Sequence, residues 1–147
     1  MLLLCDYHQL SFTGSTDVGK GLLREAADNV LRTSMKLGSC APFIVFGDAD
    51  LDRAVAAAKS AKLRNMGEAC NAANRFYVSQ ELADEFAARL ASEFEGLVVG
   101  DGLDPSTDIG PIITSGQRQR IRGLVEGARE RGARVLTGGF ILYFYVF

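Results

Sequence analysis

An α/β fold is predicted for this chain of 147 residues, because stretches of strand type alternate with stretches of helical type along it. The strand-type stretches are short and apolar, whereas the helical ones repeat apolar residues every three or four positions. The composition is 48% hydrophobic and 23% charged, which is typical of a globular protein and excludes a disordered or collagen-like chain. The length is that of one domain.

Strands are predicted where four to five residues of apolar or β-branched character follow one another. They are Leu10–Thr13, Pro42–Phe46, Arg75–Val78 and Arg134–Thr137. Residues 35–42 are predicted to form a turn that leads into the second strand, and residues 103–111 are rich in turn-forming residues. Every strand except the last is followed by a helical pattern.

Helices are predicted from apolar residues at helical spacing. The pattern of the first helix continues to Val30 and Leu31, and the third helix repeats an apolar residue every four positions, as a core-facing side does. The residues predicted to open the helices are Ser15, Asp48 or Asp50, Ser79 and Ser115.

The charge balance of 16 basic against 18 acidic residues gives a net charge of −2, which excludes general binding to nucleic acid backbones. The arginines of the fourth helix alternate with Glu126 and Glu130 and are expected to form a solvated face. They are Arg118, Arg120, Arg122, Arg129 and Arg131.

A cytoplasmic protein without a membrane span is expected. The first ten residues lack the basic region and cleavage site of a signal peptide, and no window reaches about 20 apolar residues. The three cysteines, Cys5, Cys40 and Cys70, lack the spacing of a disulfide framework. Because His8 is the single histidine and no cysteine pair has the spacing of zinc ligands, no metal site is predicted. The apolar last eight residues, 140–147, suit either a buried terminal strand or an aggregation-prone segment.

A strand that ends at Gly14 and a helix that opens with Ser15 form the first segment suited to chemistry. The N-terminus of a helix attracts anions, so a pyrophosphate is well placed there. Ordinary capping of the helix by the serine hydroxyl explains the same pattern.

Cys70 is the centre of the second segment. The small residues around it, in Glu68-Ala69-Cys70-Asn71-Ala72, would leave the sulfur accessible for attack on a carbonyl, with a main-chain amide to stabilise the oxyanion. A small buried core cysteine is the alternative. Because no histidine is near in sequence, a Cys/His pair has little support.

These segments, in this order, resemble the NAD(P)-dependent aldehyde dehydrogenase superfamily. The matching stretches are FTGSTDVG, APFIVFGDADLDRAV, RNMGEACNAANRFYV, VGDGLDPSTDIGPI and GARVLTGG. The sequence around Cys70 is most similar to that of succinate-semialdehyde dehydrogenases. The resemblance implies a part of that fold, truncated at both ends: a remnant of the nucleotide-binding domain at 10–37 and a partial catalytic domain at 38–139, with 1–9 and 140–147 outside the family pattern.

The resemblance also implies a function: oxidation of an aldehyde, with succinate semialdehyde as the candidate substrate, by NAD or NADP. Cys70 matches the nucleophile, which forms a thiohemiacetal and then a thioester. The positions that match cofactor-binding residues are Gly14, Ser15, Val18, Leu37 and Gly38. The intact family forms homo-oligomers, and the resemblance leaves NAD and NADP undistinguished.

Lys36 departs from the family pattern, which has a general-base glutamate at this position in Leu-Glu-Leu-Gly-Gly. A protonated lysine does not accept a proton from the water that releases the acid. Two functions therefore stay open. One is aldehyde oxidation through a cysteine thioester, and the other is an inactive remnant that serves at most as a binding or assembly module.

Overall fold

The computed structural model describes residues 8–39 and 41–139, which divide into two units between Ala41 and Pro42. The first unit is a β-α-β motif. Strands β1 (Gln9–Gly14) and β2 (Arg32–Leu37) pair in parallel, and helix α1 (Thr16–Asp28) connects them. The strand and helix predicted at the start of the chain are thus confirmed.

Helix α1 packs on its sheet through Gly19, which is buried. A Cβ atom built on Gly19 would lie 2.5 Å from Cδ2 of Leu37 in β2. Because any larger side chain would collide at this distance, a glycine is needed where the helix approaches the strand. Ala26, only 1% exposed, is buried on the same helix.

The end of α1 differs from the prediction, which continued the helix to Val30 and Leu31. The Leu31 amide donates to the Ala26 carbonyl at 3.0 Å and the Val30 amide donates to the Ala27 carbonyl at 3.1 Å. This pair of bonds is the Schellman motif, which ends a helix and turns the chain. Val30 takes the left-handed backbone of that motif, with φ of 51°. The helix ends at Asp28 because the chain must turn back to form β2.

Strand β2 corrects the predicted turn at 35–42, since Met35, Lys36 and Leu37 belong to the strand. Its sequence, RTSMKL, contains no apolar run that would indicate a strand. Pairing with β1, which is distant in sequence, supplies the main-chain hydrogen bonds that define it.

The second unit contains a two-stranded sheet and most of the helices among the described residues. The elements are β3 (Ala41–Val45), α2 (Leu51–Leu63), β4 (Ala73–Val78), α3 (Gln80–Glu95) and α4 (Ser115–Glu130). Strands β3 and β4 are hydrogen-bonded neighbours. The predicted strands and helices in this part are confirmed, except for the strand at 134–137.

Residues 134–137 are irregular rather than a strand. A strand is stable only when a neighbour accepts and donates its main-chain hydrogen bonds. None of the strands within 8–39 and 41–139 pairs with this segment. The strand or aggregation-prone segment predicted at 140–147 lies outside the described residues.

The core of the second unit lies between its sheet and helices α2 and α3. The Phe76 ring is centred 5.5 Å from that of Phe43 and 5.9 Å from that of Phe86, in the tilted arrangement that aromatic rings favour. Leu82 and Phe94 complete the predicted stripe of α3 and are partly buried. The buried core residues are Val45, Val55, Ala58, Phe86 and Leu90.

The opposite face of this sheet is open. Ile44, Phe46 and Tyr77 are 58%, 70% and 54% exposed, whereas the alternate residues Val45 and Phe76 belong to the core. Side chains alternate between the two faces of a strand, so one face packs on α2 and α3 and the other presents apolar groups to solvent.

Side-chain caps fix the starts of α2 and α4. Asp50, and not Asp48, accepts a hydrogen bond from the Arg53 amide at 3.1 Å. Thr114 accepts one from the Gln117 amide at 3.2 Å. The predicted solvated face of α4 is confirmed, because all five of its arginines are exposed.

The predicted turn-rich loop at 103–111 is confirmed and is held by aspartates. The Asp108 carboxylate accepts a hydrogen bond from the Val98 amide at 2.9 Å. Asp104 accepts from the amide of Ser106 at 2.9 Å and from its hydroxyl at 2.8 Å, and these bonds lower the pKa of Asp104.

None of the helices in the described part of the chain has the length and apolar character to cross a bilayer.

Candidate functional site

Cys70 lies in the connection between α2 and β4. The Ala72 amide donates to the Ala69 carbonyl at 2.9 Å, which closes a tight turn with Cys70 and Asn71 at its centre. Ala72 and Ala73 are 2% and 3% exposed, whereas Cys70 is exposed. The small residues therefore anchor the turn in the interior and leave the sulfur at the surface. The alternative of a buried core cysteine is wrong.

The backbone reverses sharply just before this turn. Asn65, Met66 and Gly67 have φ values of 52°, 57° and 78°, all in the left-handed region. A Cβ atom on Gly67 would lie 3.0 Å from the Lys62 carbonyl oxygen, so a side chain there would press on the end of α2. The Glu68 amide donates to the Asn65 carbonyl at 2.9 Å and closes the reversal.

Side-chain hydrogen bonds cross the connection. Lys62 Nζ donates to Asn74 Oδ1 at 2.7 Å, and Arg64 Nη2 donates to Asn71 Oδ1 at 3.4 Å. In both bonds a cation that precedes Cys70 in the chain is joined to an amide side chain that follows it. These pairs were not predictable from the sequence, because surface lysines and arginines are common at the end of a helix.

The predicted cofactor residues lie in the first unit, at the carboxyl ends of its parallel strands. Gly14 ends β1 and is paired with Leu37, which ends β2. Gly38 follows directly, and a Cβ atom on it would lie 3.8 Å from Thr16 Oγ1 in the first turn of α1. Ligands of α/β sheets bind outside the carboxyl ends of the strands, so the structure brings these residues together at a suitable place.

Ser15 caps α1, as the ordinary interpretation predicted. Its hydroxyl accepts a hydrogen bond from the Val18 amide at 3.4 Å. The amides of Thr16 and Asp17 also lie in the first turn, where a helix offers no main-chain acceptor. Capping and anion binding are therefore compatible here, although the Asp17 carboxylate adds negative charge.

Lys36 lies opposite Thr13 in the sheet and is exposed. Its neighbour Leu37 faces Gly19 of α1. Because side chains alternate along a strand, Lys36 points to the sheet face opposite to α1.

Among the described residues, no three histidine, cysteine, aspartate or glutamate side chains come together as metal ligands.

The aldehyde dehydrogenase family matches residues 5–142, which is nearly the whole chain. The chain belongs to the aldehyde dehydrogenase family. The succinate-semialdehyde dehydrogenase of Paenarthrobacter nicotinovorans is 53% identical over 131 residues, covering 89% of this chain and 29% of that protein. The NADP(+) succinate-semialdehyde dehydrogenase GabD of Escherichia coli K12 is 45% identical, with 89% and 27% covered.

Solved aldehyde dehydrogenase structures share the fold. The aldehyde dehydrogenase of Brucella melitensis biovar abortus 2308 matches with a TM-score of 0.88 at 44% identity, covering 95% of this chain and 29% of that one. A betaine aldehyde dehydrogenase of Staphylococcus aureus in complex with NAD+ matches with a TM-score of 0.86 at 32% identity, covering 90% and 26%. The predicted α/β fold, as part of the aldehyde dehydrogenase fold, is confirmed. The chain spans less than a third of the length of these relatives.

Proposed function

We propose that Cys70 is the nucleophile of an aldehyde oxidation that uses NAD(P)+, with succinate semialdehyde as the substrate. The observation that carries the proposal is an exposed thiol on a turn anchored by buried alanines, in a chain of the aldehyde dehydrogenase family. Relatives named as succinate-semialdehyde dehydrogenases, at 53% and 45% identity, support the choice of substrate.

The chemistry starts at the Cys70 sulfur. Attack of its thiolate on the aldehyde carbon forms a C–S bond, and the carbonyl electron pair moves to the oxygen. Main-chain amides of the turn are suited to stabilise this oxyanion, which becomes a thiohemiacetal on protonation. NAD(P)+, when bound, supplies the hydride acceptor that the step to the thioester requires. The oxygen of a water molecule then bonds to the acyl carbon, the C–S bond breaks, the acid leaves, and a proton from the water returns to sulfur and regenerates the Cys70 thiol.

The residues proposed to hold the cofactor lie at the carboxyl ends of the parallel strands of the first unit and at the start of α1. They fit a pyrophosphate, because first-turn amides of α1 lie beside the ends of two parallel strands. The name of the E. coli relative contains NADP(+), and the S. aureus structure contains NAD+, so both cofactors stay open for this chain. The proposed residues are Gly14, Ser15, Val18, Leu37 and Gly38.

Lys36 supports the second candidate, a remnant that does not turn over. A general base is worth about 10²–10⁴-fold in rate, and an ammonium at this position does not supply one. The chain is thus proposed to form the covalent adduct and to stop before the acid is released. A cytoplasmic location and a homo-oligomeric assembly stay predictions.

Peptide-resolved iodoacetamide labelling of the native chain tests the proposal. Cys70 should be labelled faster than Cys5 or Cys40, because labelling follows thiolate fraction and access. Succinate semialdehyde should slow the labelling of Cys70, whereas succinate, which has no aldehyde, should not. Equal labelling of the three thiols, or no protection by the aldehyde, would contradict the assignment of Cys70 as the nucleophile.

A further inference from the structure

We infer that Asp101 is a site of spontaneous covalent modification: its carboxyl group condenses with the Gly102 amide to a succinimide, and hydrolysis then yields isoaspartate. The reaction needs no enzyme and no co-reactant other than water. Asp101-Gly102 is the single place in the 147-residue chain where a glycine follows an aspartate or an asparagine. The inference goes beyond the proposed function, because it uses none of the residues assigned to catalysis or to cofactor binding.

Consecutive β-turns of the same build form the loop that contains this pair. The Asp104 amide donates to the Asp101 carbonyl at 3.0 Å, and the Thr107 amide donates to the Asp104 carbonyl at 3.0 Å. In each turn the carboxylate of the first residue accepts a hydrogen bond from the amide two residues further on. For Asp101 this donor is Leu103, at 3.0 Å, and for Asp104 it is Ser106, at 2.9 Å. The second turn is therefore a built-in comparison for the first.

The hydrogen bond from Leu103 directs the Asp101 carboxyl group toward the residues that follow it. This bond closes a ring of atoms that contains both Asp101 Cγ and the Gly102 nitrogen. Donation to Oδ1 also draws electrons from Cγ, which makes that carbon a better electrophile. The backbone must rotate for the nitrogen to reach Cγ, and glycine hinders that rotation least because it has no Cβ atom.

The Gly102 amide is available for the attack. Within residues 8–39 and 41–139, no group accepts a hydrogen bond from this amide. A Cβ atom built on Gly102 would have no described atom within 4 Å apart from those of its chain neighbours, and Leu103 beside it is 91% exposed. The nucleophile therefore has neither a hydrogen bond to break nor a packed surface to leave.

The other aspartates of the loop lack such a nucleophile. Asp104 has the same side-chain hydrogen bond, but Pro105 follows it and has no N–H group. Ile109 follows Asp108, and its amide donates to the Val98 carbonyl at 3.1 Å. The geometry thus distinguishes Asp101 from both of its neighbours.

The modification loses one water molecule and gains one. The Gly102 nitrogen bonds to Asp101 Cγ, a C–O bond of the protonated carboxyl group breaks, and that oxygen leaves as water with the acid proton and the amide proton. Water then attacks the imide. Attack at the main-chain carbonyl carbon of Asp101 breaks its bond to nitrogen, so the chain runs through Cβ and Cγ and a carboxylate remains on Cα. Attack at Cγ restores the aspartate.

Isoaspartate at position 101 should open the first turn. The carbonyl that accepts the Asp104 amide becomes a carboxylate outside the main chain, and the main chain gains one carbon atom. Exposed loop tips are preferred sites of proteolysis, so loss of the turn should make the loop easier to cleave. Chymotrypsin should cut the modified chain after Leu103 faster than the unmodified chain.

Incubation of the folded chain for several weeks at physiological temperature and mildly acidic pH tests the inference. An isoaspartyl methyltransferase, supplied with S-adenosylmethionine, labels isoaspartate, and peptide mapping by mass spectrometry locates it. Isoaspartate should accumulate at position 101 and stay at background at positions 104 and 108. The urea-unfolded chain, incubated in parallel, should also accumulate it at position 101.

The variants Gly102→Ala and Asp101→Glu test the two partners of the reaction. Gly102 lies in open space and its φ is outside the left-handed region, so alanine should leave the turn intact and abolish most of the isoaspartate. Asp101→Glu keeps the charge but requires a six-membered ring, and it should also abolish most of it. Gly116→Ala, at a second glycine with open space around it, is the matched control and should leave accumulation at the parental level.

Isoaspartate at position 101 that forms only in the unfolded chain would overturn the inference. So would parental accumulation in Gly102→Ala or in Asp101→Glu, or equal accumulation at position 104. Failure of the proposed function is distinguishable from these outcomes, because Cys70 takes no part in the reaction and its labelling does not report on it.

Discussion

Lys36 separates the two halves of the proposed reaction. Its side chain ends in a donor of hydrogen bonds, whereas the release of the acid needs an acceptor for a proton of water. Formation of the adduct on Cys70 has no such requirement. The exchange of one carboxylate for one ammonium should therefore stop the reaction after its first half.

Grafting residues 10–139 into the E. coli relative tests this separation. The chimera should produce a single burst of NADPH with succinate semialdehyde, and Lys36→Glu should raise steady-state turnover by about 10²–10⁴-fold. Lys20→Glu, the same charge change on α1, is the matched control and should leave the burst alone. Sustained turnover with the lysine in place would refute the assignment of this position.

The accessibility of Cys70 was predictable from its small neighbours, because alanines can be buried where a bulkier residue would push the turn outward. The left-handed backbone at Asn65 and Met66 was not. Neither the asparagine nor the methionine side chain requires a positive φ. Gly67 is the one residue of the three whose type is typical of that conformation. The contacts of Lys62 and Arg64 depend on partners that β4 brings near, which no local pattern reveals.

Helices α1 and α4 end in the same way with different residues. In α4 the Ala133 amide donates to the Ala128 carbonyl at 3.0 Å and the Gly132 amide donates to the Arg129 carbonyl at 2.9 Å, which is again the Schellman pattern. The left-handed position is a glycine with φ of 89° in α4. In α1 it is Val30, a β-branched residue for which that region is strained.

Exchanging these residues should move stability in opposite directions. Val30→Gly should raise the free energy of unfolding by roughly 1 kcal/mol, because Val30 is 91% exposed and loses no packing. Gly132→Val should lower it by roughly 1–2 kcal/mol. Urea unfolding followed by circular dichroism gives both values. A destabilised Val30→Gly chain would mean that the valine makes a contact which outweighs the strain.

The elements that sequence patterns revealed are those whose apolar residues face one side. The stripe of α3 and the apolar strand β3 were predictable on this basis. Strand β2 was not, since pairing with β1 defines it rather than its own residues. The segment 134–137 has strand-type residues but no partner strand among the described residues, so the same reasoning failed in the other direction. Local pattern predicts which side is buried, and pairing decides whether a strand forms.

The described part of the chain has few fully buried side chains. Among the described residues, no large side chain is less than 2% exposed. Sheets of parallel strands are normally covered on both faces, and within the described part of the first unit β1 and β2 pack against the helix α1. Each sheet in the described part has only two strands, so every strand is an edge strand. We therefore expect a low free energy of unfolding for this chain.

The open face of the second sheet governs how the protein behaves in concentrated solution. Ile44, Phe46 and Tyr77 form an apolar surface, and a net charge of −2 gives weak repulsion between molecules. Sulfate strengthens apolar association, so light scattering should rise at a lower ammonium sulfate concentration for the parent chain than for Phe46→Lys. Leu103→Lys changes an isolated residue that is 91% exposed and should leave the threshold near that of the parent. We therefore expect solubility to depend more on this face than on the total number of exposed apolar residues.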